Sequence, residues 1–406
     1  MQYGYHKKKF PRDILVYIEE FNKQEGTVVF DFLDSNEYGI FSNLVGREFN
    51  LETPSMVLIT NYKGKPIQEN TIYSIKEDNI LLLRDQNLIN YNTDKSYLIG
   101  HQIDLFKNEK KVFEFSVTID DSLEAMLANF RMFAKGNPDE ISIQHKGKLS
   151  VIVRNVGQGN WNEVCSNEKP IIVYDMGAFM SATKSDIIEI IGKRSTYYPI
   201  SRPLLILSHW DKDHYHALLG MMEVELKHCF SGFICRDYVP TLTSRILFRK
   251  IRDAVGTQNT YAIPPEPKLG RGGPHFFNLT SEKRQVVIYN AQQHKNRNIS
   301  GIALSIKSKN GSMILPGDAH YNQISRDILG NLNFKSDHYL VVPHHGGKAG
   351  KYVYSVPPKI TVRDAVISVG ENSYHHPIES NVDCLETSRF RVLRTDRVGT
   401  DIMINL

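Results

Sequence analysis

No run of this 406-residue chain approaches the roughly 20 consecutive apolar residues that a membrane-spanning helix needs. The N-terminal stretch Met1-Gln2-Tyr3-Gly4-Tyr5-His6-Lys7-Lys8-Lys9 is followed by no apolar segment of signal-peptide type. The expectation is a soluble, cytoplasmic protein with no membrane partner. Cysteine is scarce, and Cys165, Cys229, Cys235 and Cys384 lack the paired spacing of a zinc finger or a disulfide framework. Charge of one sign is lacking too: 49 basic against 45 acidic residues leave a net charge of +4, which gives no global electrostatic case for a polyanionic partner. Arg245, Arg249 and Arg252, with Lys250 beside them, recur at helical spacing, which a solvated helix face explains, with a phosphate-contacting face as the alternative. Residues 1–138 show no repeat, no glycine-rich phosphate loop and no acid–base cluster.

Against that background, one segment concentrates chemistry. Ser208-His209-Trp210-Asp211-Lys212-Asp213-His214 follows the apolar run Leu204-Leu205-Ile206-Leu207. Alternate residues of an extended segment point the same way, so His209, Asp211 and Asp213 can converge while His214 turns in from the start of a helix. A polar turn at a helix N-terminus has no use for the two imidazoles, so the segment reads as a metal site at a strand end. Four other apolar stretches end in a glycine turn, a carboxylate or an imidazole: Val153-Arg154-Asn155-Val156-Gly157-Gln158-Gly159-Asn160, Val173-Tyr174-Asp175-Met176-Gly177, Ile314-Leu315-Pro316-Gly317-Asp318 and Val341-Val342-Pro343-His344-His345-Gly346-Gly347.

In order and spacing these motifs resemble the metallo-β-lactamase fold superfamily, most closely the soluble hydrolase domain of ComEC-type competence proteins. The resemblance covers about residues 140–406. It implies an αββα sandwich, an α/β fold with its motif loops along one edge, preceded by a small β-rich domain: 1–138 for the N-terminal domain, 139–406 for the hydrolase. It also implies the ligand set. His209 and Asp211 would serve a first divalent ion, Asp213, His214 and His344 a second, and Asp318 would bridge them. Aspartate at 211, where β-lactamases proper carry histidine, hardens the site and shifts preference from zinc toward manganese or magnesium, so the expected cofactor is one or two divalent ions per chain, manganese or zinc, with magnesium possible. The third first-metal ligand has no clean counterpart between residues 287 and 298, where His294 is the lone imidazole.

By the same resemblance Asp175 orients the metal-binding loop without touching metal. Of His344 and His345 one ligates while the other hydrogen-bonds or faces substrate, and the spacing does not decide which. Gly157 and Gly159 permit close backbone approach. Ser368-Val369-Gly370-Glu371-Asn372-Ser373-Tyr374-His375-His376-Pro377 matches a motif that ends in Tyr-Gly-His-Pro, with His375 where glycine is usual. Asn372 then belongs to the substrate side, and Asp213 and His376 are the catalytic pair. The implied activity is a metal-dependent phosphodiesterase or nuclease acting through metal-activated hydroxide on nucleic acid or a small nucleotide. The alternatives are an ester, thioester or lactam hydrolase on the same scaffold, or a catalytically degenerate sensing module. A protein partner or an oligomer contact could use the N-terminal domain.

The rest of the chain reads coarsely. Strand-like segments fall at residues 28–33, 55–60, 80–83 and 111–117, and a helix at 120–135 is stopped by Gly136-Asn137-Pro138. Later come strands at 149–156, 171–174 and 204–207, helices at 184–193 and 214–223, and a hairpin of 302–307 with 312–315 around Asn310-Gly311.

Overall fold

The computed structural model describes residues 13–46, 56–85, 87–90, 99–104, 147–179, 182, 184–268, 273–294, 296–332, 336–354, 356, 360–370, 372 and 375–406. The expected strand at 111–117, the helix at 120–135 and the stop at 136–138 lie outside them. The chain separates into two units, Met1–Asn129 with Pro240–Ile246, and Phe130–Val239 with Leu247–Leu406.

In the first unit, strands β1 (Asp13–Asn22), β2 (Thr27–Phe32), β3 (Met56–Thr60), β4 (Ile72–Lys76), β5 (Ile89–Asn90) and β6 (Ile99–Asp104) form one sheet in the order β4-β1-β2-β3-β6-β5. Its apolar face carries Val16, Ile18, Val28, Phe30 and Phe32, packed with Tyr38 and Phe41 of the helix Ser35–Leu44. Asp34 caps that helix by accepting the N–H groups of Asn36 and Glu37 at 2.8 and 3.0 Å. The expected strand at 80–83 is instead part of a helix, Glu77–Asp85. There Ile80 and Leu83 are buried three residues apart while Leu82 is 41% exposed, a helical period in a stretch too short for apolar content to separate helix from strand. Asp31 is buried and accepts from the backbone N–H of Thr243 at 3.0 Å.

The second unit holds two seven-stranded sheets. One contains β7 (Leu149–Val153), β8 (Asn162–Ser166), β9 (Lys169–Tyr174), β10 (Leu204–Ile206), β11 (Gly232–Arg236), β12 (Thr260–Ile263) and β20 (Ile402–Asn405), in the order β12-β11-β10-β9-β8-β7-β20. The other runs β13 to β19 in chain order: β13 (Phe276–Asn278), β14 (Val286–Ala291), β15 (Ile302–Lys307), β16 (Gly311–Leu315), β17 (Asp337–Val341), β18 (Thr361–Ile367) and β19 (Arg391–Arg394). The period of two along a strand shows how they stack. On β14, Val286 and Ile288 enter a core shared with Val151, Ile172 and Ile206 of the first sheet, whereas Val287 and Tyr289 enter one shared with Tyr321, Ile324 and Leu385 from helices. Strands β9 to β12 run parallel, and parallel neighbours need crossover connections, supplied among others by the helices Lys184–Arg194, Lys212–Leu219 and Glu223–Cys229. The result is the αββα sandwich, and the expected hairpin is present as the antiparallel pair β15–β16.

Two local expectations need correction. The helix expected at 214–223 starts earlier, at Lys212, and ends at Leu219. The basic stripe is no uniform solvated face: Arg245 is buried, Lys250 donates to the Met221 carbonyl, and Arg252 pairs with Asp253 at 2.7 Å.

His338 on β17 is a buried imidazole 2.8 Å from the Tyr354 hydroxyl and stacked on that ring at 6.1 Å. Burial disfavours its charged form and pushes its pKa down to about 4. In the unfolded chain it titrates near the ordinary value of about 6.5, so the unfolded state gains a proton first as pH falls. The stability carried by the neutral ring is therefore complete above about pH 6.5 and is lost progressively down to about pH 4, a difference of about 3 kcal/mol. Urea unfolding of wild type and His338→Gln should show a gap at pH 7 that closes at pH 4. A gap independent of pH would contradict this.

Candidate metal centre

All the motif loops lie at one edge of the sandwich. Asp175 follows β9, residues 208–214 follow β10, Asp318 follows β16, the His344-His345 turn follows β17, and residues 368–376 follow β18, each at the carboxyl end of its strand. Open α/β sheets bind ligands at that end. The extended reading of residues 207–213 holds only in part, because Asp211 stands at the N-cap and Asp213 lies in the first helical turn.

Asp175 ties the loops together. It has no exposed surface, takes φ of +57°, and its Oδ1 accepts the Ser208 N–H at 2.6 Å. Its Oδ2 accepts from Ser208 Oγ at 2.9 Å and from the Asn160 amide at 2.8 Å, and stands 2.8 Å from His214 Nδ1. With Nδ1–H donating to this carboxylate, the His214 lone pair is on Nε2 and faces outward. An aspartate at 160 would set two carboxylates against each other, so the asparagine found there suits the contact. Gly177 is needed for close approach: a Cβ there would come within 1.7 Å of the Asp213 carbonyl oxygen. Gly157 takes φ of +74°, and a Cβ on Gly159 would meet the backbone of Ala178 at 2.6 Å.

Around this hub stand two overlapping groups of donors, His209, His214 and Asp318, and Asp213, His214 and His345. His214 Nε2 is 3.2 Å from Asp318 Oδ1 and 3.7 Å from Asp213 Oδ1. His345 Nε2 is 3.2 Å from Asp213 Oδ2, and His209 Nε2 is 3.7 Å from Asp318 Oδ2. The Nε2 atoms of His209, His214 and His345 are buried without a hydrogen-bond partner. Two ligand atoms each about 2.1 Å from one ion stand about 3–3.5 Å apart, so these spacings and unsatisfied nitrogens fit a divalent cation.

The two histidines of the Pro343–Gly346 turn separate. His344 and His345 both take left-handed φ, 52° and 53°, and Gly346 follows at 77°. This tight reversal sends the side chains apart. His345 faces Asp213 and anchors its Nδ1 on the Ser368 carbonyl at 2.7 Å, whereas His344 bonds Asp318 Oδ2 through Nδ1 at 2.5 Å. The expectation placed His344 among the ligands and His345 beside them; the donor groups contain His345, and His344 reaches Asp318 alone among the acids by direct contact.

Sequence reasoning missed Arg297 and Asn298. Arg297 Nη2 pairs with Asp211 Oδ1 at 2.7 Å, and the Asn298 amide lies 3.3 Å from both Asp318 Oδ2 and His344 Nδ1. Asp211, expected as a first-metal ligand, is outside both donor groups. The loop bearing these residues is held by Arg236, which is buried and donates to the carbonyls of Ser300, Ala291 and Gly301 and to Asn290. Burial lowers the Arg236 pKa to about 9. His294, the lone imidazole of that stretch, belongs to neither group.

Electrostatics follow from this packing. Burial would raise the Asp318 pKa, but His214 and His344 hold it well below the ordinary range. Burial would lower His214 and His344; the surrounding carboxylates, Asp318 foremost, hold both above their ordinary value, His344 at about 9. Asp213 is held low by His214 and His345, and Asp211 by Arg297 and His209. His376 goes the other way: burial, then the charges of His344 and His345, push it down to about 3. Its ring centroid is 5.2 Å from that of His344, and its Nδ1 accepts from the Gln158 amide at 3.3 Å. It is thus a neutral ring at pH 7, with the proton on Nε2. Asn372 fixes this loop by accepting the His376 N–H at 2.9 Å and donating to the Gly370 and His376 carbonyls. His375 supplies φ of +55°, the conformation that glycine fills in the motif it resembles.

Asp175→Asn retains the shape but cannot accept all of these hydrogen bonds. Manganese affinity, measured by chelator competition, should fall about 10–100-fold with the far-UV spectrum unchanged. Unaltered affinity would remove Asp175 from its orienting role.

No family model matches the chain. It is 30% identical over 202 residues to ComE operon protein 3 of Bacillus subtilis (strain 168), a match covering 48% of this chain and 24% of that protein. The chain thus spans about a quarter of that relative's length. Among solved structures, the metallo-β-lactamase fold protein YhfI from Bacillus subtilis aligns at 11% identity with a TM-score of 0.35, covering 64% of this chain and all of that one. CmlA, a diiron β-hydroxylase from Streptomyces venezuelae, aligns at 11% identity with a TM-score of 0.32, covering 65% and 55%. The short form of human tRNase Z aligns at 12% identity with a TM-score of 0.29, covering 52% and 85%. Among the described residues, no helix is long and apolar enough to cross a membrane. The two facing sheets flanked by helices, with the motif loops at one edge, are the αββα sandwich that the sequence resemblance implies, and over 202 residues the chain is similar to ComE operon protein 3.

Proposed function

We propose that the second unit is a metal-dependent phosphodiesterase that hydrolyses nucleic acid or a small nucleotide. The observation that carries this reading is the set of three buried Nε2 atoms, of His209, His214 and His345, that converge on the carboxylates of Asp213 and Asp318. One of the two donor groups, His209, His214 and Asp318 or Asp213, His214 and His345, would hold the ion. When bound, a divalent cation supplies Lewis acidity, acidifying water to near neutrality and polarising a phosphoryl oxygen.

The chain's own groups do the rest. The carboxylates of Asp318 and Asp213 repel an anionic phosphodiester unless positive charge offsets them and N–H donors meet its oxygens. Donors beside the carboxylates are neutral His376 through Nε2, His344, whose side chain is 26% exposed, and the Asn298 amide. His376 serves as a hydrogen-bond donor, because a group titrating near pH 3 holds no extra proton to give the leaving oxygen at neutral pH. Asp213, a carboxylate that His214 and His345 hold deprotonated, would accept a proton from water. The mixed donor set of three imidazoles and two carboxylates supports manganese or zinc as the ion.

The test is an assay of the full chain with manganese or zinc on single- and double-stranded DNA, RNA, cyclic nucleotides and bis(p-nitrophenyl) phosphate, beside acyl esters, thioesters and lactams. Phosphodiester turnover that drops about 100-fold or more in Asp318→Asn is expected. Turnover confined to acyl substrates, or none at all from metal-loaded protein, would overturn it.

A further inference from the structure

His214 belongs to both donor groups, yet its Nδ1 is committed to Asp175 and its Nε2 offers one lone pair. One lone pair ligates one ion, so the two groups cannot both be filled as they stand. A second ion would have to draw on His209 with Asp211, the pair that the sequence resemblance assigns to the first metal. Asp211 is not placed for this. Its Oδ1 is 2.7 Å from the Arg297 guanidinium, its Oδ2 is 3.4 Å from His209 Nε2, and it joins no group of donors. The ion pair is largely sheltered, with side-chain exposures of 10% for Arg297 and 17% for Asp211. Arg297 is further fixed by donating to the Trp210 carbonyl at 3.0 Å, in the loop that Arg236 anchors. A fixed cation therefore already pairs with the carboxylate that the resemblance assigns to the first metal.

We propose that Arg297 takes the place of a second metal ion: it neutralises Asp211 from the protein side, and the chain holds one exchangeable divalent cation in one of the two donor groups that share His214. This rests on the metal-dependent reading above and narrows it. A guanidinium is always charged and presents a planar fork of donors to carboxylates and phosphates, so the charge that a second ion would bring is permanent here.

The experiment counts metal directly. The full chain is stripped with a chelator, incubated with excess manganese or zinc chloride, gel-filtered and analysed by elemental mass spectrometry and native mass spectrometry. One ion per chain is expected for wild type. Arg297→Met unpairs Asp211 and should raise the count to two, whereas Arg297→Lys should remain at one. Two ions in wild type would overturn this proposal and leave the metal-dependent reading standing; none would overturn both. Arg297→Met that is folded and still takes one ion would also overturn it. Should that variant fail to fold, the wild-type count decides alone.

Discussion

A single buried carboxylate sets the geometry of the metal centre. Asp175 contacts the Ser208 backbone and hydroxyl, the Asn160 amide and His214 Nδ1, so three loops that leave different strands are pinned to one pair of oxygens. Burying a charge is costly unless its lone pairs are occupied, and here they are. The arrangement in turn fixes which nitrogen of His214 is free. Without it, Asp318 and Asp213 would face an imidazole of undefined tautomer.

The rest of the site is built around repulsion that the fold contains and a cation relieves. Asp213 and Asp318 lie within reach of the same imidazole, and protons on His214 and His344 balance them in the metal-free state. Metal binding at such a site displaces protons, which couples occupancy to pH. On the far side Arg297 does for Asp211 what those protons do for Asp318, with a charge that does not titrate in the working range.

The architecture and most of the site were legible in the sequence because each motif combines two local signals, an apolar strand and a polar or glycine residue at its end. Strands β9, β10, β16 and β17 and the residues just after them follow from that rule. What was not legible depends on backbone dihedrals or on long-range partners. The choice between His344 and His345 turns on consecutive left-handed residues. Arg297 and Asn298 sit in a polar loop with no periodicity; the one available signal was that no residue between 287 and 298 lands cleanly as the expected third ligand. Ile80 and Leu83 looked like strand because nine residues of Glu77–Asp85 give too short a window, although acidic residues in its first turn and Arg84 in its last fit a helix.

Gly177 and Gly370 bring main chain against main chain, the first beneath the Asp213 carbonyl and the second over Gly157. Spacing across that wall is fixed by the van der Waals thickness of a peptide, not by the volume of any side chain. Residues lining the rim can therefore change, altering which molecule is admitted, while the separation of the acids behind them stays constant.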